Sequence, residues 1–374
     1  MTDQKKKSTL WVKAFPSLIA ILIGLIVGVG VIAVSNPSAI GEALPKFFLG
    51  PFNRGLSGLG DLFYFAMPVL MTGLSVGFAF QTGLFNIGGS GQFLMGGFLA
   101  ILVSKKLEGV VDPSFLWIIA LLVAALGGAL LASIVGVLKA YRNVNEVITC
   151  IMLNYTSMYL VNDFIKRFGI YNQMKNQTVD IAAEVPRMGL NLLFPGTITG
   201  GGILIALVCA IALHIILHRT TFGYELKGVG LNRYAARYAG INEKKSIILS
   251  MSIAGLLAGL AGGMLYLSGA GNHLVVQEVL PSQGFDGIAV ALLGLTEPIG
   301  VVLASLFIAY VQMGGQAIQT LGFAPELITM IIAFILYISA LSVLFQRLLK
   351  KKQKSDTNVN AEPAGPATRQ EVTK

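Results

Sequence analysis

The sequence predicts an all-α protein: a polytopic transmembrane helical bundle of about ten helices, with inverted repeats and discontinuous helices. Two observations lead to this prediction. Of the 374 residues, 55% are hydrophobic and only 12% are charged, whereas a soluble domain carries roughly 25% charged residues. The apolar residues also fall in separate runs of the length that a membrane-spanning helix needs, about 20 residues. The surface of the chain is therefore expected to face an apolar solvent.

Ten apolar segments are candidates for these helices. The eighth of them offers only about 16 Å of helix at 1.5 Å per residue, which is too short to cross a membrane alone. The first follows a run of lysines and exceeds the apolar core of a signal peptide, so we interpret it as an uncleaved helix. The segments lie at 15–34, 62–82, 87–104, 115–138, 144–163, 201–217, 246–268, 284–294, 297–316 and 326–347.

The basic residues predict how the chain is oriented in a bacterial cell membrane. Lys5, Lys6 and Lys7 precede the first segment and place the N-terminus in the cytoplasm, because cytoplasmic flanks are rich in Lys and Arg. The lysines at 350–352 must lie on the same side, which requires an even number of crossings and favours ten over nine. The net charge of +9 is thus assigned to cytoplasmic flanks rather than to a nucleic-acid-binding surface.

The chain divides into three parts. Residues 1–14 form a cytoplasmic N-terminal tail, and residues 15–347 form the transmembrane domain, with a basic cytoplasmic loop at 218–245. Residues 348–374 are polar and contain Pro363 and Pro366. Such a segment cannot bury enough apolar surface to fold, so we expect a disordered cytoplasmic tail.

Two interrupted apolar segments are the most informative feature of the sequence. They run from Gly83 to Gln92 and from Gly284 to Pro298, and each places Phe and then Asn or Asp among glycines at the start of a short helix. The predicted orientation makes the two short helices antiparallel, as in an inverted repeat, and such paired interruptions indicate a transport site. The backbone amides that they free persist at membrane depth only inside protein or beside water. Alternatively, the glycines only allow close helix packing.

Polar residues in the predicted spans point to the same region, because such residues are costly in a membrane and usually face the bundle interior. Glu146 and Asp286 fall near helix ends, so either could instead be solvated, and Glu146 could simply stabilise its helix dipole. The candidates for the substrate path are Phe85, Asn86, Gly88, Gly91, Gln92, Asn145, Glu146, Asn154, Phe285 and Asp286.

No metal site and no cofactor is predicted. His214 and His218 share a helix face at i and i+4, but no further candidate ligand is near them in the sequence. Cys150 and Cys209 both fall inside apolar segments and form neither a disulfide framework nor a metal-ligand spacing.

The basic loop contains the signals of a short helix. Asn232 can cap a helix that runs from Arg233 to Ala239, and Gly240 can end it in the left-handed conformation. Such a helix on the cytoplasmic face is suited to docking another protein. Alternatively, the segment is an ordinary basic loop held by anionic lipid.

These motifs together resemble the permeases of binding-protein-dependent ABC importers, in the branched-chain amino acid and ribose permease family and its nucleoside-type branch. The resemblance covers about residues 60–345. Two positions depart from it: Arg233, where many relatives have proline, and Ser90, where relatives often have an acidic residue. The matching motifs are Phe85-Asn86-Ile87-Gly88 with Gly91-Gln92, Asn145-Glu146-Val147-Ile148 with Met152-Leu153-Asn154-Tyr155, Gly230-x-Asn232-x-x-Ala235-Ala236-x-x-x-Gly240-Ile241, and Gly284-Phe285-Asp286-Gly287-Ile288-Ala289.

The resemblance implies a pore of two permease subunits, usually different proteins in the nucleoside branch. Two ATP-binding subunits and an extracellular lipoprotein that delivers the nucleoside complete the importer. The chain has no Gly-x-x-x-x-Gly-Lys-Ser/Thr phosphate loop, so ATP hydrolysis is expected in a partner, and the chain is not expected to be an enzyme. By resemblance, coupling to the ATPase is assigned to Gly230, Asn232, Ala235, Ala236, Arg237 and Gly240.

Two other functions stay open. A permease of the same family for branched-chain amino acids or a sugar would have the same architecture. A stand-alone secondary transporter would couple to an ion, and it would more naturally carry acidic residues in the middle of its spans. The acidic residues here lie near the ends of the predicted helices.

Overall fold

The computed structural model describes residues 21–269, 271–335 and 337–338. Within these ranges the chain is helical apart from its loops and a two-stranded antiparallel hairpin of β1 (Tyr171–Asn172) and β2 (Gln177–Thr178). The all-α prediction is therefore confirmed. The helices are α1 (Ile21–Ser35), α2 (Ile40–Leu49), α3 (Leu56–Gln81), α4 (Gly89–Lys106), α5 (Pro113–Arg142), α6 (Glu146–Arg167), α7 (Leu190–Leu193), α8 (Gly202–Arg219), α9 (Thr221–Leu231), α10 (Arg233–Tyr238), α11 (Glu243–Tyr266), α12 (Ser282–Leu293), α13 (Pro298–Gln319) and α14 (Glu326–Ile335).

Each of the ten apolar segments coincides with a helix. In chain order these helices are α1, α3, α4, α5, α6, α8, α11, α12, α13 and α14. The two predicted tails, 1–14 and 348–374, lie outside the described residues. So do residues 15–20 of the first apolar segment and residues 336 and 339–347 of the last.

Among the described helices, α3, α5, α8, α11 and α13 are both long and apolar enough to cross a membrane. α1 and α2 meet the same criterion as a pair, with a bend of 114° between them. α12 has 12 residues, about 18 Å at 1.5 Å per residue, so the prediction of a helix too short to cross alone is confirmed. The polytopic bundle is thus confirmed, while the number of ten crossings stays a prediction.

The structure differs from the prediction at three places. α3 begins at Leu56 rather than at 62, and α2 was not predicted. The loop 218–245 contains a second helix, α9, in addition to the short one expected there. Thr220 starts α9, because its hydroxyl accepts a hydrogen bond from the Gly223 amide at 3.1 Å. Gly228 and Gly230 within the segment weaken its helical signal in the sequence.

The centre of the bundle is the antiparallel pair α5 and α11, which approach through glycines. Gly128 lies against the backbone of Gly255 and Gly259, and Ala124 and Gly136 continue this seam toward the two ends of α5. A Cβ atom on Gly128 would overlap the backbone of α11. Small residues at such seams let membrane helices approach closely, where van der Waals packing holds them together.

The hydrogen bonds of α3 show the directions in which α11 and α12 run beside it. It is antiparallel to α11, with hydrogen bonds from the Ser75 hydroxyl to the Ala254 carbonyl at 2.6 Å and from the Thr82 hydroxyl to Ser250 at 2.7 Å. α12 runs along α3 in the same direction, because the start of α12 bonds to Thr72 and its end lies near Gln81. These relative directions agree with those that the count of ten crossings requires.

The glycine seam gives a first prediction. Gly128→Leu should lower the thermal unfolding midpoint of the detergent-solubilised protein and the amount recovered, because overpacking costs about 1–3 kcal/mol or more. Gly30→Leu on α1 is the matched control, since among the described residues no atom outside the adjoining helix backbone lies within 4 Å of a Cβ placed there. Equal midpoints for the two variants would show that the seam is not essential to the bundle.

Candidate functional site

The two interrupted segments meet in the interior of the bundle. α3 ends at Gln81, Gly83 takes a left-handed φ of +70°, and α4 begins at Gly89. The Ser90 hydroxyl donates to the carbonyl of Pro281 at 2.9 Å, immediately before α12. Gly284, in the first turn of α12, packs so closely on Ser90 that a Cβ would overlap its backbone. The N-terminal ends of two short helices, far apart in sequence, are therefore in direct contact.

The second break lies at the end of α12 rather than among its first glycines. Gly284 and Gly287 belong to the helix itself, and the chain is interrupted at 294–297, before α13. Leu295 and Thr296 adopt φ values of 56° and 59° there, a left-handed conformation uncommon for residues other than glycine. The Gln81 amide donates to the Thr296 carbonyl at 3.1 Å. The second break is thus tied to the end of α3, where the first break begins.

Two amide side chains form a buried pair beside the first break. The Asn86 amide donates to the Gln92 carbonyl oxygen, and the Gln92 amide donates to the Asn86 carbonyl oxygen, both at 2.9 Å. The Asn86 amide also donates to the Ser75 hydroxyl at 3.2 Å. All three side chains are buried. The pair therefore connects the first break to the start of α4 and to the middle of α3.

Asn154 of α6 satisfies backbone groups that the first break leaves free. Its amide donates to the Ile87 carbonyl at 3.0 Å, and its carbonyl oxygen accepts from the Gly91 amide at 2.8 Å. An unpaired backbone group at membrane depth costs several kcal/mol. Gly91 lies close enough to Asn154 that even a Cβ would displace it. Asn154 thus holds the break and α6 together.

Four of the ten predicted path residues line a narrow space between α4, α5 and α6. In this conformation it does not admit a water-sized sphere. One of its lining atoms, the Ser157 hydroxyl oxygen, is buried without a hydrogen-bond partner among the described residues. The space is lined by Gly88, Gly91, Gln92, Leu131, Val135, Cys150, Leu153, Asn154 and Ser157.

The other predicted path residues lie apart from this space. The exposed Asn145 caps α6 by accepting from the Val147 amide at 2.9 Å. Glu146 forms an ion pair with Lys139 at 2.8 Å. Phe85 stacks on Phe80, with ring centroids 5.0 Å apart.

On the second segment, Phe285 is 40% exposed and Asp286 is half-buried. Of the ten predicted residues, the structure therefore brings together Asn86, Gly88, Gly91, Gln92 and Asn154.

The short helix predicted in the basic loop is confirmed as α10. The Asn232 side chain accepts from the amides of Tyr234 and Ala235 at 3.0 and 3.1 Å. Gly240 follows the helix with a φ of +84°. Ala236 is buried, whereas Ala235 and Arg237 are exposed. Arg233, one of the two departures from the family pattern, bonds to Glu243 at 3.0 Å and so ties α10 to the start of α11.

A backbone contact joins the loop to the first break. Gly230, at the end of α9, lies against the backbone of Gln81, Thr82 and Gly83, and a Cβ on Gly230 would overlap it. α9 is therefore in direct contact with the residues at which α3 ends and the break begins.

α9 and α10 also present an apolar surface that sequence reasoning missed. It consists of Tyr224, Leu231, Tyr234 and Tyr238, which we name the docking face; their exposed fractions are 75%, 88%, 77% and 96%. Exposed apolar patches of this kind mark interaction sites. The i, i+7 spacing of Tyr224 and Leu231 and the i, i+4 spacing of Tyr234 and Tyr238 were the signal that could have identified it.

The role of Asn154 gives a second prediction. Asn154→Leu should lower the thermal unfolding midpoint, because the buried Ile87 carbonyl and Gly91 amide would each lose a partner at a cost of about 1–3 kcal/mol. Asn162→Leu on the same helix is the control, since it removes one hydrogen bond, to the Gln277 carbonyl, at a more exposed position. A midpoint for Asn154→Leu no lower than that of the control would contradict the role.

Comparison with known proteins identifies the family of the chain. Residues 58–341 match the family described as "Branched-chain amino acid transport system / permease component". The chain is 35% identical over 344 residues to the guanosine ABC transporter permease protein NupP of Bacillus subtilis, covering 91% of this chain and 97% of the relative. It is 32% identical over 346 residues to the nucleoside ABC transporter permease protein NupB of Lactococcus lactis, covering 91% and 94%.

A second guanosine ABC transporter permease protein of Bacillus subtilis, NupQ, is 26% identical over 288 residues, covering 74% of this chain and 88% of the relative. No solved structure matches the chain. The family match spans the interrupted segments, the amide pair, α9 and α10. The chain therefore belongs to the branched-chain amino acid transport system permease family.

Proposed function

We propose that the chain is a permease subunit of an ABC importer for nucleosides and that it moves its substrate by alternating access. The contact of Gly230 with residues 81–83 is the observation on which the proposal rests, because it links an exposed docking face to an interrupted helix inside the bundle. A stand-alone secondary transporter has no need for such a link. The relatives named for guanosine and nucleoside transport favour a nucleoside over a branched-chain amino acid or a sugar.

The motor is proposed to be a separate ATP-binding subunit that binds the docking face. Tyr234 and Tyr238 would insert into its surface, and Arg237 beside them would pair with acidic groups there. Nucleotide binding would displace α9 and α10, and the start of α11 would move with α10 because the Arg233–Glu243 ion pair ties these two helices together. Gly230 would pass this displacement to the first break. Gly240 would allow the chain to leave α10 without strain, since its φ is +84°.

The substrate path is proposed to open where the N-terminal ends of α4 and α12 meet. Helix N-termini carry positive dipole ends, which suit carbonyl and hydroxyl oxygens of a nucleoside. A rearrangement of the first break that parted Asn86 from Gln92 would make their amides available to a base. Phe85 and Phe285 would supply aromatic faces for stacking. The glycines at 88 and 91 would keep the path clear of side chains, with Asn154 and Asp286 at its margin.

Asn145 and Glu146 are proposed to bound the cytoplasmic end of the path. Their positions at the start of α6, beside Lys139, would make them contact substrate only as it leaves. The chain's N- and C-termini would lie on this cytoplasmic side.

The partners are proposed to include a second permease subunit of different sequence. Bacillus subtilis has two guanosine permease proteins, NupP and NupQ, and this chain is more similar to NupP, at 35% against 26% identity. A chain of the NupQ type would then complete the pore. An extracellular lipoprotein would deliver the nucleoside, and ATP would be hydrolysed in the ATP-binding subunits.

The docking face gives a third prediction. Tyr238→Asp should prevent copurification of the ATP-binding subunit and reduce nucleoside uptake at least roughly tenfold, because loss of a central aromatic anchor costs about 2 kcal/mol or more. The permease itself should insert and fold normally, since Tyr238 is 96% exposed. Met174→Asp, at the 99% exposed tip of the β-hairpin, is the control and should retain the ATP-binding subunit. Recovery of that subunit with both variants would refute the docking role.

Substrate class is tested by uptake. In a strain that lacks the importer, expression of the complete transporter should restore accumulation of labelled guanosine but not of labelled leucine or ribose. Tyr238→Asp serves as the transport-deficient control. Restoration of leucine or ribose uptake alone would refute the nucleoside assignment and leave the permease role intact, whereas uptake that survives ATP depletion would refute the importer class.

A further inference from the structure

Two of the three histidines of the chain meet an acidic residue at one end of the bundle. His214 and His218 lie one turn apart near the end of α8, with their rings stacked at a centroid distance of 4.4 Å. Glu297 comes from the second break, directly before α13. One potential ligand atom from each of the three residues lies within 4.8 Å of the others. The i, i+4 spacing of the two histidines is visible in the sequence, but their acidic partner is not, because Glu297 is far from them along the chain.

The hydrogen bonds of His218 orient its ring for binding a cation. Its Nδ1 lies 3.0 Å from the His214 carbonyl oxygen, and only a protonated Nδ1 can donate to that oxygen. In the neutral ring the remaining proton-free nitrogen is then Nε2, which lies 3.3 Å from a Glu297 carboxylate oxygen. Two electron-pair donors thus face each other, and a proton or a metal ion between them removes the repulsion. A histidine held by a backbone carbonyl through its other nitrogen is the usual arrangement at metal sites.

The spacing agrees with a tetrahedral centre. Two bonds of about 2.0–2.1 Å at a tetrahedral angle place their ligand atoms about 3.3–3.4 Å apart, and the His218–Glu297 separation is 3.3 Å. The third ligand is His214, whose Nδ1 is buried without a hydrogen-bond partner among the described residues. A ligand atom of this ring lies within 4.8 Å of ligand atoms of His218 and Glu297, and rotation about its side-chain torsions would be needed to bring it into the first coordination sphere. Glu297 and His218 remain 49% and 32% exposed, so an ion can enter from solvent.

We propose that His214, His218 and Glu297 form a binding site for a divalent transition-metal ion, with water as the fourth ligand. Two imidazoles and one carboxylate suit zinc, cobalt, nickel or copper rather than magnesium or calcium, which prefer oxygen ligands. The ion would join the end of α8 to the second break. It would sit beside Thr220, where α9 begins, and so at the base of the docking face.

The test is a metal titration of the purified permease in detergent. The protein carries an affinity tag that contains no histidine, and a chelator removes bound metal before the titration. The wild-type protein should bind one Zn²⁺ in competition with a chromophoric chelator, and its thermal unfolding midpoint should rise with Zn²⁺. Glu297→Gln and His218→Ala should each weaken binding at least roughly tenfold, since loss of even an outer-shell partner costs about 10–100-fold. Bound Co²⁺ should give the absorption spectrum of a tetrahedral site.

Two controls separate this site from other ligands in the chain. His273→Ala removes the third histidine, which faces Asp180, and Cys209→Ser removes the partly buried thiol on α8. Both variants should bind Zn²⁺ as the wild type does. Unchanged binding in Glu297→Gln and His218→Ala, or absence of binding in a wild-type protein whose unfolding transition is normal, would overturn the proposal.

Discussion

The structure depends on one constraint: every backbone group that an interrupted helix frees inside a membrane must find a partner in the protein. Asn154 meets this requirement at the first break, where it bonds to Ile87 and Gly91. Gln81 meets it at the second break by bonding to Thr296. Each partner comes from a helix that does not adjoin the break in sequence, α6 at the first and α3 at the second, so the interruptions also connect helices that are distant in sequence. Each break therefore connects neighbouring helices as well as interrupting one.

A second constraint, the close packing of helices, explains why glycine lies at the helix seams. With 44 glycines in the chain, backbones can approach where side chains would otherwise separate them. The contacts of Gly128 with α11, of Gly284 with Ser90 and of Gly230 with Gly83 are all of this type. The first holds the bundle together, the second closes the junction of the two short helices, and the third connects that junction to α9. All three contacts therefore depend on the same close approach of backbone to glycine.

Much of the fold follows from local patterns in the sequence. Apolar runs located all ten helices, and Asn232 with Gly240 marked α10, because span length and helix capping are local properties. The helix α9 was missed because Gly228 and Gly230 weaken its local signal, and the meeting of His218 with Glu297 was missed because it joins segments far apart in sequence. The sequence predicted Asn86, Gln92 and Asn154 as substrate-path candidates. It did not reveal that Asn86 and Gln92 bond to each other, because that contact depends on the conformation of the break.

The contact between Gly230 and Gly83 is formed by backbone atoms on both sides, so it does not depend on the identity of any side chain. In the proposed function, this contact would carry motion from α9 to the bundle whatever side chains surround it. Residues on the outer side of α9 and α10 could then change to fit a different motor subunit, and residues near the meeting point of α4 and α12 could change to fit a different solute. The two surfaces would be modular, joined mechanically but independent in their chemistry.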